Sequence, residues 1–125
     1  MASGDYFAGL WQKIVQKLES TAAGQCWLWY GGKSGRGEGQ YGIMRVRFPE
    51  AQSSVPVRVH RVAYMVKIKS VQLEPHRDVS HLCGHSLCCN PDHLSLEPHA
   101  INNGRKHCHA TGQCMGHAPF SNCIL

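Results

Sequence analysis

Apolar residues recur at helical spacing near the start of the chain. Phe7, Leu10, Trp11, Ile14, Val15 and Leu18 share a face, with Asp5 placed to cap it. The pattern predicts an amphipathic helix over about 6–19 whose aromatic residues belong to the core. TAAGQ ends it, and CWLWY follows as a short apolar strand carrying Cys26. Two stretches then alternate with period 2. In YGIMRVRF, Met44, Val46 and Phe48 alternate with Arg45 and Arg47; in VPVRVHR, Val55, Val57 and Val59 alternate with Pro56, Arg58 and His60. Joined by PEAQSS, they predict an antiparallel hairpin with its apolar set on the core and its basic set facing away. HRVAYMVKI reads as a short helix beneath that ribbon. VSHLC reads as a short strand, and GHSLCCNPDH as irregular chain with a turn at Asn90-Pro91. EPHAINNGRKH suits a short helix with Pro98 in its first turn. The remainder, CHATGQCMGHAPFSNCIL, has no periodicity, so something other than an apolar core must hold it.

At 125 residues the chain reads as one domain. Its expected parts are an N-terminal helical segment (1–25), a basic ribbon (26–70) and a Cys/His-rich region (71–125). Thirteen glycines and six prolines imply much loop, so a modest core would gain from staples. The first residues lack the basic start and apolar run of a signal peptide, and no stretch approaches the roughly 18 apolar residues of a membrane span. The expectation is an intracellular protein with no membrane association, nuclear or, if prokaryotic or viral, cytoplasmic. In such a compartment thiols stay reduced.

Charge is unevenly placed. Between Lys33 and Lys69 lie Lys33, Arg36, Arg45, Arg47, Arg58, Arg61, Lys67 and Lys69 against Glu38 and Glu50, a net +6, while the rest of the chain is near neutral. A basic middle points to a polyanion. A two-stranded ribbon with outward arginines also fits the width of the DNA major groove. Lys33, Arg36, Arg45, Arg47, Arg58, His60, Arg61 and Arg105 form the expected DNA-contacting set, with double-stranded DNA the expected partner. GGKSGRGEGQ lacks the phosphate-loop pattern and carries no nucleotide-binding expectation.

Seven cysteines and nine histidines, with an odd cysteine count, read as metal ligands rather than disulfides. Cys83-x4-Cys88-x4-His93 supplies three zinc ligands at short loop spacings. The fourth expected is Cys26, which would tie the two halves of the chain together. Cys89, next to Cys88, competes for the same place, and the resemblance described below assigns it to Cys88 and leaves Cys89 a buried thiol. Cys108-x5-Cys114-x2-His117-x5-Cys123 supplies a second set, with His109 as an alternative histidine. Both sets fill four positions, whereas a catalytic zinc keeps one open, so both zinc ions read as structural.

His81 and Asn102 remain outside these sets. A histidine titrating near neutrality can take a proton from water, the general-base task in phosphodiester hydrolysis. An asparagine carbonyl oxygen is a hard ligand suited to Mg²⁺. From position alone each is equally well a structural residue.

SHLCGHSLCCNPDHL…INNGRKHC closely resembles the His-Cys box of homing endonucleases of the I-PpoI type, within the ββα-metal (His-Me finger) nucleases. The family pattern S-H-L-C-x4-C-x-N-P-x-H-L is matched without a gap. The resemblance implies a catalytic histidine at His81 and zinc ligands at Cys83, Cys88 and His93. It implies a magnesium-binding asparagine at Asn102, nine residues after His93 and six before Cys108. The N-terminal helix, the remote Cys26 and His60-Arg61 are similar too, and CWLW…YG…HRVAY is similar to the smaller HNH endonucleases of mobile elements. The family ends its second cluster with a tighter Cys-x-His-x3-Cys spacing. It also places an arginine near the scissile phosphate, for which Arg58, Arg47 and Arg45 are candidates in that order. Its long C-terminal dimerisation arm has no counterpart before Leu125, which leaves a homodimer open.

The expectation is therefore an α+β, zinc-stapled ββα-metal nuclease fold with two structural zinc ions. One Mg²⁺ would serve DNA hydrolysis, with His81, Asn102 and Arg58 as its catalytic residues. The alternative is a non-catalytic zinc-containing DNA-binding module, because LCCNPDH is also similar to the zinc segment of the Smad MH1 domain.

Overall fold

The N-terminal apolar stripe forms helix α1, Gly4–Val15, burying Phe7, Leu10 and Ile14 in the computed structural model, which describes residues 4–35 and 40–125. Asp5 lies inside the first turn, where its charge favours the helix N-terminus. The helix stops short of the predicted 19 because its continuation pairs elsewhere. Glu19 N–H donates to the Leu28 carbonyl at 2.9 Å and Tyr30 N–H to Lys17 at 2.9 Å. CWLWY makes isolated bridges, Leu18 with Trp29 and Leu28 with Cys88, rather than the expected strand. It is gripped from both sides, since Cys89 N–H also donates to the Trp27 carbonyl at 2.8 Å.

Strands β1 (Lys33–Ser34), β2 (Tyr41–Val46) and β3 (Val55–Arg58) form an antiparallel sheet in that order. In the β2–β3 register Met44 faces Val57 and Arg45 faces Pro56. Pro56, which lacks an N–H, is tolerated because β3 is an edge strand. Met44 and Val46 are buried as predicted, but Val55, at the loop end of that edge, is 44% exposed. The strand ends at Arg58, and helix α2 (Val59–Ile68) begins at once. The side-chain period changes there from 2 to 3.6, so Val59 and His60 both turn inward.

Strands β4 (Arg77–His81) and β5 (Leu94–Pro98) pair antiparallel, and helix α3 (His99–Thr111) follows directly, giving the ββα unit of an α+β fold. Strand β5 was not predicted: Leu94 and Leu96 do alternate with Ser95 and Glu97, but the stretch is short and its polar phase holds the fully buried Glu97. α1, α2, the sheet and β4–β5 share one apolar cluster that includes Phe7, Ile14, Trp29, Val46, Val62 and Leu94. No helix among the described residues is long and apolar enough to cross a membrane.

Helix α3 has almost no apolar face; its buried residues are Arg105 and Cys108. Arg105 is only 1% exposed and ion-pairs through both Nε and Nη2 with Glu97, itself fully buried. Its remaining donors reach the Ser121 carbonyl at 2.8 Å and the Cys123 sulfur at 3.4 Å. The expected DNA contact by Arg105 is thus corrected: its charge is spent inside the protein. Removing one partner strands a buried charge. Glu97→Ala is expected to cost about 3–5 kcal/mol, read as a lowered urea midpoint with zinc present. The apolar double variant Glu97→Leu/Arg105→Met should cost less.

Candidate metal centres and active-site cleft

Four ligand atoms from distant parts of the chain converge in the first cluster. Those of Cys26, Cys83, Cys88 and His93 all lie within 4.8 Å of one another. Cys26 comes from the CWLWY segment, Cys83 from the turn after β4, and His93 from the end of a 3₁₀ turn, Pro91–His93. Asn90 builds that turn by accepting from Asp92 N–H at 3.0 Å while its Nδ2 donates to the Gln25 carbonyl at 2.8 Å. One side chain thus registers both ligand-bearing loops. Gly84, beside Cys83, has φ +75°, and a Cβ there would stand 2.6 Å from the His109 ring, so only glycine fits.

Cys108, Cys114, His117 and Cys123 form the second cluster, again within 4.8 Å. His117 takes the histidine place. His109 instead packs on Gly84 with Nε2 3.0 Å from the Leu82 carbonyl. N–H donors point at the sulfurs from Met115 to Cys108 (3.4 Å), Cys123 to Cys114 (3.3 Å) and Arg105 to Cys123 (3.4 Å).

The donor sets fit zinc. A tetrahedral ion with Zn–S near 2.3 Å and Zn–N near 2.0–2.1 Å separates sulfur from nitrogen by about 3.6 Å. The observed S···N distances are 3.8 and 3.5 Å in the first cluster and 3.4 and 3.3 Å in the second. Charge argues the same way. A hydrogen bond from Cys83 helps pull the Cys88 thiol down to about 5, while Cys83 itself is pushed up by that bond and by burial. All three cysteines so close could ionise together only with a cation between them. Cys89 stands outside both clusters, its buried thiol pushed up to about 12.

The first cluster also positions His81. Its Nε2 lies 3.1 Å from the Cys88 carbonyl. A carbonyl only accepts, so Nε2 carries the proton and Nδ1 keeps its lone pair. Burial, with the nearby His85 adding to it, pushes His81 down to about 4 despite that bond, so the ring is neutral at pH 7. His60 lies against His81 with ring centroids 4.4 Å apart and stacks on Tyr41 at 5.3 Å. The Arg58 guanidinium sits 4.2 Å over the other ring, Tyr41. His60 was expected on the outer face of the ribbon; at 5% exposure it is a buried support of His81 instead.

His81 and Asn102 line one cleft of about 350 Å³ together with Tyr41, Ser86 and Lys106. An adjoining recess of about 250 Å³ shares Tyr41, Asn102 and Lys106 and adds Arg58, Arg61, Asp78 and His99. Of the arginines considered for the scissile phosphate, Arg58 reaches this recess. Arg45 and Arg47, both exposed, brace the hairpin loop through Ser54 and Ala51. Lys33 is exposed on β1, and Arg36 lies outside the described residues. Sequence reading missed Tyr41, Asp78, His99 and Lys106. His99 and Lys106 stand three before and four after Asn102, a helical spacing that places all three on one face of α3.

The model of a family described as the zinc-binding loop region of homing endonuclease matches residues 25–123. Protein 2.8 of Escherichia phage T7 is 31% identical over 102 residues, covering 77% of this chain and 63% of that protein. The chain thus spans less than two thirds of this relative's length. No solved structure matches. All eight cluster ligands fall inside the matched span, and the chain belongs to this zinc-binding family of homing endonucleases, within the His-Me nucleases.

Proposed function

We propose that the chain is a Mg²⁺-dependent endonuclease that hydrolyses DNA phosphodiesters, of the His-Cys box type. The observation carrying this reading is the pairing of His81 with Asn102 across one cleft, with His81 held in the tautomer that leaves Nδ1 free. Nδ1 takes the proton from the attacking water. The Cys88 carbonyl holds the ring's other side and stabilises the imidazolium formed. Arg58 and Arg61 bind phosphate oxygens in the neighbouring recess. The exposed Arg45, Arg47 and Lys33 lie along the sheet that would dock in the major groove. Asn102 would hold the Mg²⁺ through Oδ1; when bound, the ion stabilises charge on the scissile phosphate and the leaving 3′ oxygen.

The test is cleavage of supercoiled plasmid by zinc-loaded protein with and without added Mg²⁺, comparing wild type with Asn102→Ala. Mg²⁺ should be omitted rather than chelated, because a chelator also attacks the zinc sites. Cleavage should require Mg²⁺ and fall in Asn102→Ala by on the order of 100-fold or more, as expected for losing a cation worth several kcal/mol. Equal cleavage by the variant would sink this mechanism. Salt-sensitive DNA binding without cutting would instead support a non-catalytic DNA-binding module.

A further inference from the structure

An acidic residue is out of place in a recess that otherwise presents Arg58, Arg61 and Lys106 to a phosphate. Asp78 repels the proposed substrate, so its position calls for another role. Its Oδ2 accepts from Asn102 Nδ2 at 3.0 Å and from His99 Nδ1 at 2.6 Å. A carboxyl with two donors converging on one oxygen serves as a carboxylate acceptor with nothing to donate.

That fixes the Asn102 amide. A carboxamide has a donating and an accepting end of nearly equal shape, and a hard cation can use only the oxygen. An amide free to turn would offer the wrong end part of the time. A carboxylate accepts only from Nδ2, so Oδ1 must point elsewhere. Asn102 lies on α3 and Asp78 on β4, so the bond also locks the helix to the strand that carries His81. His99, one turn before Asn102, engages the same oxygen and keeps the carboxylate from swinging away.

We propose that Asp78 is a positioning residue: it orients the Asn102 amide so that Oδ1 is available to a divalent cation, and does not itself ligate that cation. The proposal rests on the reading of Asn102 given above. It is tested with Asp78→Ala and Asp78→Asn. Asparagine can still accept from Asn102 Nδ2 through its own carbonyl oxygen, whereas alanine cannot. The first readout needs no activity and no Mg²⁺. In wild type, one Asn102 side-chain amide proton should resonate downfield and exchange slowly, assigned by its loss in Asn102→Ala. In Asp78→Ala the pair should move to the shifts of a solvent-exposed amide, and in Asp78→Asn the bonded signature should persist. The second readout is the Mg²⁺ concentration giving half-maximal plasmid cleavage. It should rise roughly 10–100-fold in Asp78→Ala, the usual effect of removing a partner that orients a ligand, with cleavage at saturating Mg²⁺ reduced far less. Asp78→Asn should recover most of the shift.

An unchanged amide signature and unchanged Mg²⁺ dependence in Asp78→Ala would overturn the proposal. So would an Asp78→Asn variant as impaired as Asp78→Ala, which would make the carboxylate itself a ligand. A wild-type protein that never cuts DNA with Mg²⁺ defeats the nuclease reading instead, and the amide resonances still judge the role of Asp78. Thermal transitions and zinc content should match wild type in both variants.

Discussion

Stripping zinc from the protein is expected to abolish its cooperative thermal transition. A structural zinc site contributes on the order of 10–16 kcal/mol, against about 5–15 kcal/mol of net stability for a whole domain. The first cluster has the larger reach. Its ligands come from CWLWY, the turn after β4 and the 3₁₀ turn before β5, so releasing the ion frees the seam between the N-terminal segment and the ββα unit. The second cluster holds residues 112–125, which form neither helix nor strand and expose Met115 (69%) and Leu125 (61%). That tail has little apolar burial of its own to resist release. Native mass spectrometry should find two zinc ions per chain, one for each cluster. Cys26→Ser should lose the global transition, whereas Cys114→Ser should lose one zinc and loosen the tail while α1 and the sheet persist. Retention of the full transition after both ions are removed would mean that the clusters do not support the fold.

The ligands were legible because zinc sites are written locally. Cys83, Cys88 and His93 lie five residues apart within one loop, and the second set lies within 16 residues. Cys26 could be placed because the first set lacked a fourth member and a remote cysteine lay beside an apolar run. His81 and Asn102 were singled out as residues outside the zinc sets, but only the resemblance favoured catalysis over a structural role, since their partners are backbone atoms and a carboxylate that spacing does not reveal. Hydrophobic patterning failed wherever charge was buried. Arg105 read as a DNA contact, yet it and Glu97 neutralise each other inside the protein, and that pair, not an apolar stripe, seats α3. His60 was misplaced for a different reason. Continuing the strand alternation past Arg58 puts it outward, but the helix starting at Val59 turns it in beneath His81. CWLWY shows that strongly apolar chain need not form a ladder strand when its neighbours on both sides are single bridges.

Replacing His81 with alanine is expected to lower the cleavage rate by about 10²–10⁴-fold, the range that a positioned general base contributes. DNA affinity and thermal stability should be nearly unchanged, because Arg58 and Arg61, proposed above to bind phosphate, and both clusters are left in place. The separation matters, since Cys88 serves two purposes. Its sulfur belongs to the first cluster, and its carbonyl holds His81 Nε2. Damage to that cluster therefore also displaces the proposed base, and a variant of Cys88 cannot distinguish lost folding from lost chemistry. His81→Ala can, because the shared contact ends at a backbone oxygen that remains. It also opens space beside a cleft of about 350 Å³, so added imidazole should restore part of the rate, the restored fraction rising with the concentration of its neutral form. Restoration without a change in DNA affinity would show that the missing group moves a proton. If His81→Ala cuts at the wild-type rate, another base takes the proton from water, and the half-buried ring against Tyr41 and His60 is packing alone.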